Sequence, residues 1–271
     1  PYFEKFDIKV FSSDGTYNFL SKNSTHLKLY EISNLTGFPE ILDGRVKTLH
    51  PKIHAGILAN KKNLNHLKQL NELNVKTFDL IIIDFYPFEE ISKDKKNSFN
   101  QIIESIDIGG PTMMRAAAKN FENTLILSSP EQIEEFINIS NLKRNHFNIS
   151  YRKKLAGDAF IKSAYYENAI ANWFSDKNKQ AQDLFIALPK IKDLRYGENP
   201  HQNASMYKVS ENNISQISGK EISYNNIHDM DVAIELALEL EKYSCVIVKH
   251  GNPCGVSVSQ KQPKAYYDAY N

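Results

Sequence analysis

Two short apolar runs, with a glycine- and alanine-rich segment between them, most strongly limit what this chain can fold into. The first run is FDLIIIDFYPF (78–88) and the second is NTLILSS (123–129). Continuous apolar runs of this length are typical of parallel strands buried on both faces. Between them Gly109–Gly110 breaks the chain, and Pro111 suits the first position of an Ala-rich helix. We therefore predict an α/β domain with an open parallel sheet and flanking helices.

The remaining segments extend this alternation and indicate a second domain. Residues 8–11 predict a strand that ends at the turn SSDGT, and a helix follows from Thr16. Residues 130–176 have helical spacing, which includes Phe160, Tyr166 and Trp173, and we expect most of these aromatic side chains to be core. A polar stretch without periodicity follows, before the strand CVIVKH (245–250). We predict a first domain over 1–176, a linker over 177–190 and a second domain over 191–271.

Composition excludes several classes of function. The 271 residues carry a formal net charge of +1, so no broad basic surface for nucleic acid is expected. No apolar run approaches the ~20 residues of a membrane-spanning helix. The two cysteines form neither a CxxC pair nor a zinc-ligand spacing, which predicts no metal. So few cysteines favour a reducing, cytoplasmic location.

One segment concentrates positive charge in this nearly neutral chain. GRVKTLHPKIHAG (44–56) contains Arg45, Lys47 and Thr48 between glycines. Arg and Lys pair with phosphate, and Gly allows close approach of the backbone. Pro51 predicts that these residues lie on a loop. Either a phosphate site or a solvated basic loop explains the pattern.

Two further motifs supply acid–base groups. In IDIGGPTMMRAAAKN, Asp107 precedes a helix N-terminus, while Arg115 and Lys119 share a helix face. In DFYPF, Tyr86 follows a buried strand, at the edge where open α/β sheets bind ligands. A carboxylate beside an ammonium can transfer protons. A surface salt bridge with Asp107 as a helix cap explains the first motif equally well.

Two turns contain the remaining candidate functional residues. SSDGT places Ser13, Gly15 and Thr16 between a strand and a helix, where a phosphate could bind. VKHGNPCG places Lys249 and His250 at a strand end, which suits proton transfer with charge stabilisation. The alternative explanation for this Lys–His pair is a capped strand end without a catalytic role. Cys254 lacks the PCxxC pattern of zinc deaminases, and as a nucleophile it lacks a nearby histidine signature beyond His250.

Together, in this order, the motifs GRVKTLHPKIHAGIL, DFYPF, IDIGGPTMMRAAAKN, LRYGENPHQ, SYNNIHD and VKHGNPCG closely resemble the AICAR transformylase/IMP cyclohydrolase family. The resemblance implies a methylglyoxal-synthase-like first domain and part of a cytidine-deaminase-like second domain without zinc. It implies formyl transfer from 10-formyltetrahydrofolate to AICAR, and then dehydrative ring closure of formyl-AICAR to IMP. It further implies a homodimer.

The resemblance also implies residue roles. Catalytic positions are Lys47, Tyr86, Asp107 and Lys119 for ring closure, and Lys249 and His250 for formyl transfer. Substrate-binding positions are Ser13, Gly15, Thr16, Arg45, Thr48, Gly109, Gly110, Arg195, Tyr196, Asn225 and Asn226. Asp107 would act at the amide nitrogen, and Lys119 and Tyr86 at the formyl oxygen and the departing water.

The sequence departs from the family pattern at its ends and at one turn. The Ser/Lys loop with which the family opens is absent, and we expect the rest of the transformylase domain to lie beyond Asn271. Asp14 replaces a glycine of the family's STGGT turn, where a carboxylate would repel phosphate unless it points away. A phosphosugar lyase of the methylglyoxal synthase type, a non-catalytic nucleotide-binding module and a fragment that only dimerises are the alternatives. The lyase would not explain LRYGENPHQ or VKHGNPCG.

Overall fold

The computed structural model describes residues 2–24, 26–142, 147–175, 185–209, 216–240 and 243–271. These residues form two compact units, 1–187 and 188–271. Most of the predicted linker, 177–184, lies outside the described residues, so the predicted domain boundaries stay a prediction.

The first unit alternates helices with short strands. Its elements are α1 (Tyr2–Lys5), β1 (Lys9–Ser12), α2 (Asp14–Asn23), β2 (Lys28–Glu31), α3 (Ile32–Thr36), α4 (Pro51–Leu58), α5 (Leu64–Glu72), β3 (Leu80–Ile82), α6 (Phe88–Lys93), α7 (Phe99–Glu104), α8 (Gly109–Lys119), β4 (Leu125–Leu127), α9 (Pro130–Leu142) and α10 (Ile149–Phe174).

The strands of this unit pair in parallel, as the apolar runs predict. β1 pairs with β2, and β3 pairs with β4 so that Ile81 lies opposite Ile126. β3 is shorter than the apolar run around it. Its ladder continues for one bond, from the Ile83 N–H to the Leu127 carbonyl at 3.0 Å, before the chain turns towards Pro87. The paired strands and the Ala-rich helix between them confirm the predicted α/β class.

The core of this unit lies between α4, α8, β4 and α10. Its fully buried members include Ile57, Met114, Ala117, Leu127 and Leu155. Alanines on α8 let neighbouring elements approach closely, since they carry no long side chain. α8 begins two residues before the predicted start at Pro111.

Phe160 is an exception to the predicted core of α10. Its side chain is 40% exposed, whereas Leu155 and Tyr166 on the same helix are buried. Its spacing is helical, but it faces a groove beside α8 rather than the core. Phe160 is therefore an exception to the prediction that most aromatic side chains of this segment are core.

The second unit contains two antiparallel pairs and two helices. Its elements are β5 (Lys190–Asp193), β6 (Ser205–Tyr207), α11 (Tyr224–Glu239), β7 (Ser244–Lys249), β8 (Asn252–Val258) and α12 (Gln262–Tyr270). β5 pairs with β6, and β7 pairs with β8. His250 and Gly251 both have positive φ, 57° and 71°, as the two central residues of a tight hairpin. Residues 252–255 therefore belong largely to a strand rather than to a loop.

Candidate functional site

The cationic segment of residues 44–50 is an irregular loop, as predicted, and its charges are already paired. The Arg45 guanidinium forms an ion pair with Glu104. The Lys47 ammonium lies 2.7 Å from a Glu40 carboxylate oxygen. The Arg45–Glu104 hydrogen bond raises the pKa of Arg45 and lowers that of Glu104.

Gly44 makes room for one of these ion pairs. Its φ is +88°, and a Cβ there would lie 2.5 Å from Glu40 Oε1 and 2.8 Å from Lys47 Cε. Ile41 and Val46 close the loop through an isolated antiparallel bridge. Backbone conformation and space thus both favour glycine at this position.

Asp107 lies at the start of α8, where its carboxylate is held by the backbone. Its Oδ1 accepts a hydrogen bond from the Gly110 N–H at 2.8 Å. Its own N–H donates to the Tyr166 hydroxyl at 2.7 Å. Burial raises the pKa of Asp107, and hydrogen bonds from Gly110 and Gly109 oppose that rise. Burial thus makes this carboxyl group easier to protonate than an exposed aspartate.

The cationic loop contacts the chain on both sides of Asp107. Arg45 binds Glu104, the last residue of α7. Thr48 Oγ1 fills the space that a Cβ of Gly109 would need. A Cβ on Gly110 would collide with the Asp107 carboxylate itself. The structure therefore brings together the loop, the two glycines and Asp107, all predicted from the sequence.

Tyr86 lies just beyond the carboxyl end of β3 and is 61% exposed, so its ring is open to a ligand. Its neighbour Phe85 packs against Tyr166, with ring centroids 4.7 Å apart. Tyr166 also binds the backbone of Asp107, and burial raises its own pKa. Tyr166 thus links the DFYPF and IDIGGP motifs. Sequence analysis assigned this tyrosine only to the helical core pattern of α10.

Lys119 lies at the opposite end of α8 from Asp107. Ten residue steps separate Gly109 from Lys119, and at 1.5 Å per residue this corresponds to about 15 Å. Lys119 and Arg115 line the same groove, which confirms their shared helix face. Within one chain, Lys119 and Asp107 are not brought to the same point.

The turn with Ser13, Gly15 and Thr16 forms the start of α2. Ser13 has extended backbone angles, and its carbonyl accepts the Tyr17 N–H at 2.8 Å. Gly15 and Thr16 are exposed in the first turn of the helix. The side chain of Asp14 lies outside the described part of the structure. The role of this turn as a phosphate site stays a prediction.

In the second unit, Lys249 and His250 lie at the tip of the β7–β8 hairpin. Asp229 on α11 fixes that tip, because its Oδ1 accepts the Gly251 N–H at 2.7 Å. His228, one residue earlier, packs so tightly on Gly251 that a Cβ there would lie 2.6 Å from its Nε2. Sequence analysis missed both residues, although they belong to the quoted motif SYNNIHD.

The other predicted residues of this unit surround the start of α11. The Arg195 guanidinium lies 4.8 Å from the centroid of the Tyr196 ring. Hydrogen bonds from Ser223 and Arg195 lower the pKa of Tyr196. Asn225 donates to the Glu198 carbonyl at 3.0 Å. Asn226 forms a capping box with Ser223 and so serves the helix start itself.

Neither metal chemistry nor a disulfide is indicated by these geometries. Within the described ranges, no group of three His, Cys, Asp or Glu side chains could hold a metal ion. Cys245 and Cys254 are both free thiols. In the part of the chain that the structure describes, no helix is long and apolar enough to cross a membrane.

Comparisons with known proteins agree with this arrangement. The family model described as AICARFT/IMPCHase bienzyme matches residues 117–271, and that of the MGS-like domain matches residues 2–112. The bifunctional purine biosynthesis protein PurH of Clostridium perfringens (strain 13) is 44% identical over 98% of this chain and 53% of its own length. Its namesake from Clostridium botulinum (strain Hall) is 42% identical over 99% of this chain and 54% of its own length. The PurH protein of Caldicellulosiruptor saccharolyticus is 44% identical over 97% of this chain and 53% of its own length.

A solved structure is also similar. The chain titled "Crystal structure of ForH" has a TM-score of 0.54 and 29% identity, covering 64% of this chain and 87% of its own. The present chain spans about half the length of the curated relatives it matches.

Proposed function

Because the chain belongs to the AICARFT/IMPCHase bienzyme family, we propose that this protein catalyses the last two steps of IMP synthesis. In the first step a formyl group passes from 10-formyltetrahydrofolate to the 5-amino group of AICAR. In the second step formyl-AICAR closes its ring and loses water to give IMP. The family membership supports both steps, and the geometry of the first unit supports ring closure in particular.

One observation carries the assignment of ring closure. The carboxylate of Asp107 is partly buried and fixed by the N–H of Gly110, and the cationic loop is anchored on both sides of it. Ring closure needs a group that orients or deprotonates a weakly acidic carboxamide nitrogen. Asp107 has a fixed position, and burial raises its pKa; both features support this role.

Phosphate binding in this proposal uses the loop cations. Arg45, Lys47 and Thr48 hold the ribose phosphate, together with Ser13, Gly15 and Thr16 at the α2 start. Gly109 and Gly110 take part in substrate binding beside Asp107. The Arg45–Glu104 pair is exposed on both sides. Exposed ion pairs contribute little to stability, so a dianionic phosphate can compete for the guanidinium at little cost.

The formyl oxygen and the departing water need donors, and we assign this role to Tyr86 and Lys119. Tyr86 is exposed beyond β3, and its neighbour Phe85 packs on Tyr166, whose hydroxyl accepts the Asp107 N–H. Lys119 lies about 15 Å away along α8. Its assignment follows from the resemblance and not from this geometry.

For formyl transfer, His250 accepts the proton of the attacking amine and Lys249 stabilises the tetrahedral oxyanion. The hairpin tip that carries both is held by Asp229. Arg195, Tyr196, Asn225 and Asn226 bind the nucleotide. The substrates AICAR and formyl-AICAR, the co-substrate 10-formyltetrahydrofolate, a homodimeric state and a cytoplasmic location all belong to this proposal, and no metal is assigned a role in it.

Ring closure is the direct test. Formyl-AICAR is added to the purified chain, and IMP formation is followed by absorbance. We expect Asp107→Asn to lose at least about a hundredfold in turnover, because the amide keeps the hydrogen bond to Gly110 but cannot accept a proton. Asp94→Asn is the matched control, since Asp94 is exposed and its side chain accepts only a local N–H. Equal turnover in Asp107→Asn and wild type would refute the assignment.

Lys119→Ala tests the residue assigned to ring closure that lies at the far end of α8 from Asp107. The resemblance predicts that this variant nearly abolishes ring closure. Turnover close to that of wild type would remove Lys119 from the mechanism and confine the chemistry to the Asp107 end of α8. Tight nucleotide binding without turnover in the wild-type chain would instead favour a non-catalytic nucleotide-binding module.

A further inference from the structure

Tyr166 contacts two of the segments to which ring closure is assigned, although it belongs to neither. It lies on α10 and is buried in a small core that it shares with Phe88 and Ile102. Its hydroxyl binds the segment that leads from α7 into α8, and its ring packs on the segment that follows β3. One buried side chain therefore connects two motifs that are far apart in the sequence.

The hydroxyl of Tyr166 holds the backbone on both sides of Ile106. It accepts the Asp107 N–H at 2.7 Å and donates to the Ser105 carbonyl at 3.4 Å. Ser105 caps the C-terminal end of α7. The Asp107 carboxylate in turn accepts the Gly110 N–H at 2.8 Å. The backbone of Asp107 is thus fixed by Tyr166, and its side chain by the start of α8.

The hydrogen bond to Asp107 replaces a local backbone contact. The Asp107 N–H donates to a side chain 59 positions away in the sequence. Asp107 is partly buried, so its N–H would lose stability without a partner unless the segment moved. Removal of the hydroxyl should therefore displace Asp107 rather than leave it in place.

The ring of Tyr166 holds the residues on both sides of Tyr86. Its centroid lies 4.7 Å from that of Phe85 and 6.3 Å from that of Phe88. Phe88 is buried, whereas Tyr86 is exposed. Aromatic pairs at such distances attract each other beyond the effect of burial alone. The exposed phenol of Tyr86 is thus carried by backbone that is anchored against the ring whose hydroxyl binds Asp107.

We propose that Tyr166 is a positioning residue for ring closure, which holds the Asp107 carboxylate and the Tyr86 segment in their relative places. The inference rests on the proposed function, because that function assigns Asp107 and Tyr86 to the reaction. Tyr166 is itself buried, so it acts through these two residues. A displacement of about 1 Å can cost about a hundredfold in rate, so loss of its contacts should lower turnover more than binding.

Tyr166→Phe removes the hydroxyl and keeps the ring. In the full chain with formyl-AICAR, we expect kcat to fall about tenfold or more while KM changes by less than about threefold. The phosphate contacts proposed above lie on the 44–50 loop and the start of α2, which the hydroxyl does not bind. Tyr151→Phe is the matched control, because Tyr151 lies on the same helix and its buried hydroxyl oxygen has no hydrogen-bond partner among the described residues. Its kcat and KM should equal those of wild type.

NMR reads the position of Asp107 without any turnover. In Tyr166→Phe we expect faster amide exchange at Asp107, because its N–H has lost its acceptor. The Gly110 N–H and Asp107 carboxyl ¹³C resonances should shift, because the carboxylate moves relative to Gly110. Tyr151→Phe should leave all three signals as in wild type.

Phe85→Leu separates the ring from the hydroxyl. This variant loses one aromatic contact and keeps the hydrogen bond to Asp107. We expect the Asp107 signals to stay as in wild type, the Tyr86 ring resonances to shift, and kcat to fall about threefold or more.

Three results would overturn the inference. The first is wild-type Asp107 and Gly110 signals in Tyr166→Phe, and the second is a wild-type kcat in that variant. The third is an equal fall of kcat in Tyr151→Phe, because the effect would then follow from the packing of α10 alone. Absence of ring closure in the wild-type chain would count against the proposed function alone, since the NMR signals decide by themselves whether Tyr166 positions Asp107.

Discussion

At the scale of single residues, the Asp107 carboxylate has two opposing effects on the stability of the fold. Its carboxylate stabilises the start of α8 by accepting the Gly110 N–H. It does so in a partly buried position, and burial disfavours its charged form and raises its pKa. The residue proposed to do the chemistry is therefore one whose ionisation opposes folding.

This conflict predicts how stability depends on pH. A group whose pKa is raised in the folded state contributes stability below its unfolded pKa of about 3.9, and that stability is lost as the pH rises through the folded value. Asp107→Asn keeps the acceptor for Gly110 and has no charge. We therefore expect this variant to gain stability over wild type as the pH rises from about 3.5 to 7.5. Urea unfolding of both proteins across this range measures the difference, and a gap independent of pH would contradict the prediction.

At the scale of secondary-structure elements, two glycines in helices have opposite surroundings. The same Gly→Ala substitution should therefore have opposite effects on stability at the two positions. A Cβ on Gly110 collides with the Asp107 carboxylate, whereas a Cβ on Gly157 meets nothing within 4 Å. Ala is favoured over Gly in a helix by about 1 kcal/mol. Gly157→Ala should therefore raise the free energy of unfolding by about 0.5–1 kcal/mol.

Gly110→Ala should show the reverse, although it is the same substitution in another helix. The new methyl group must displace Asp107, which breaks the hydrogen bond to the helix start. We expect lower stability and a loss of ring closure, measured by urea unfolding and by IMP formation. Wild-type turnover in Gly110→Ala would mean that the observed position of Asp107 is not required.

The same elements show what sequence patterns reveal and what they leave out. Continuous apolar runs predicted β3 and β4 and their parallel pairing, because burial on both faces leaves a local signature. Phe160 shares the helical spacing of the core residues of α10. Spacing alone does not predict that this side chain lines a groove together with the small residues Ala116 and Gly157. Contact between Tyr166 and Asp107 joins residues 59 positions apart, and no local pattern encodes it.

At the scale of the whole molecule, the proposed chemistries belong to different compact units. Asp107 lies in the first unit, and the hairpin with Lys249 and His250 lies in the second. Each candidate site is held by contacts within its own unit, through Tyr166 in one case and Asp229 in the other. A change at one site should therefore leave the other intact.

Asp229→Ala tests this independence. The substitution removes the acceptor of the Gly251 N–H, so we expect faster amide exchange at Gly251 and weaker protection of the hairpin tip. Ring closure from formyl-AICAR should stay at the wild-type rate. Asp231→Ala is the matched control, because Asp231 is exposed two residues later on the same helix. Unchanged exchange at Gly251 would show that Asp229 does not hold the tip, and a marked fall in ring closure would show that the two units do not act independently.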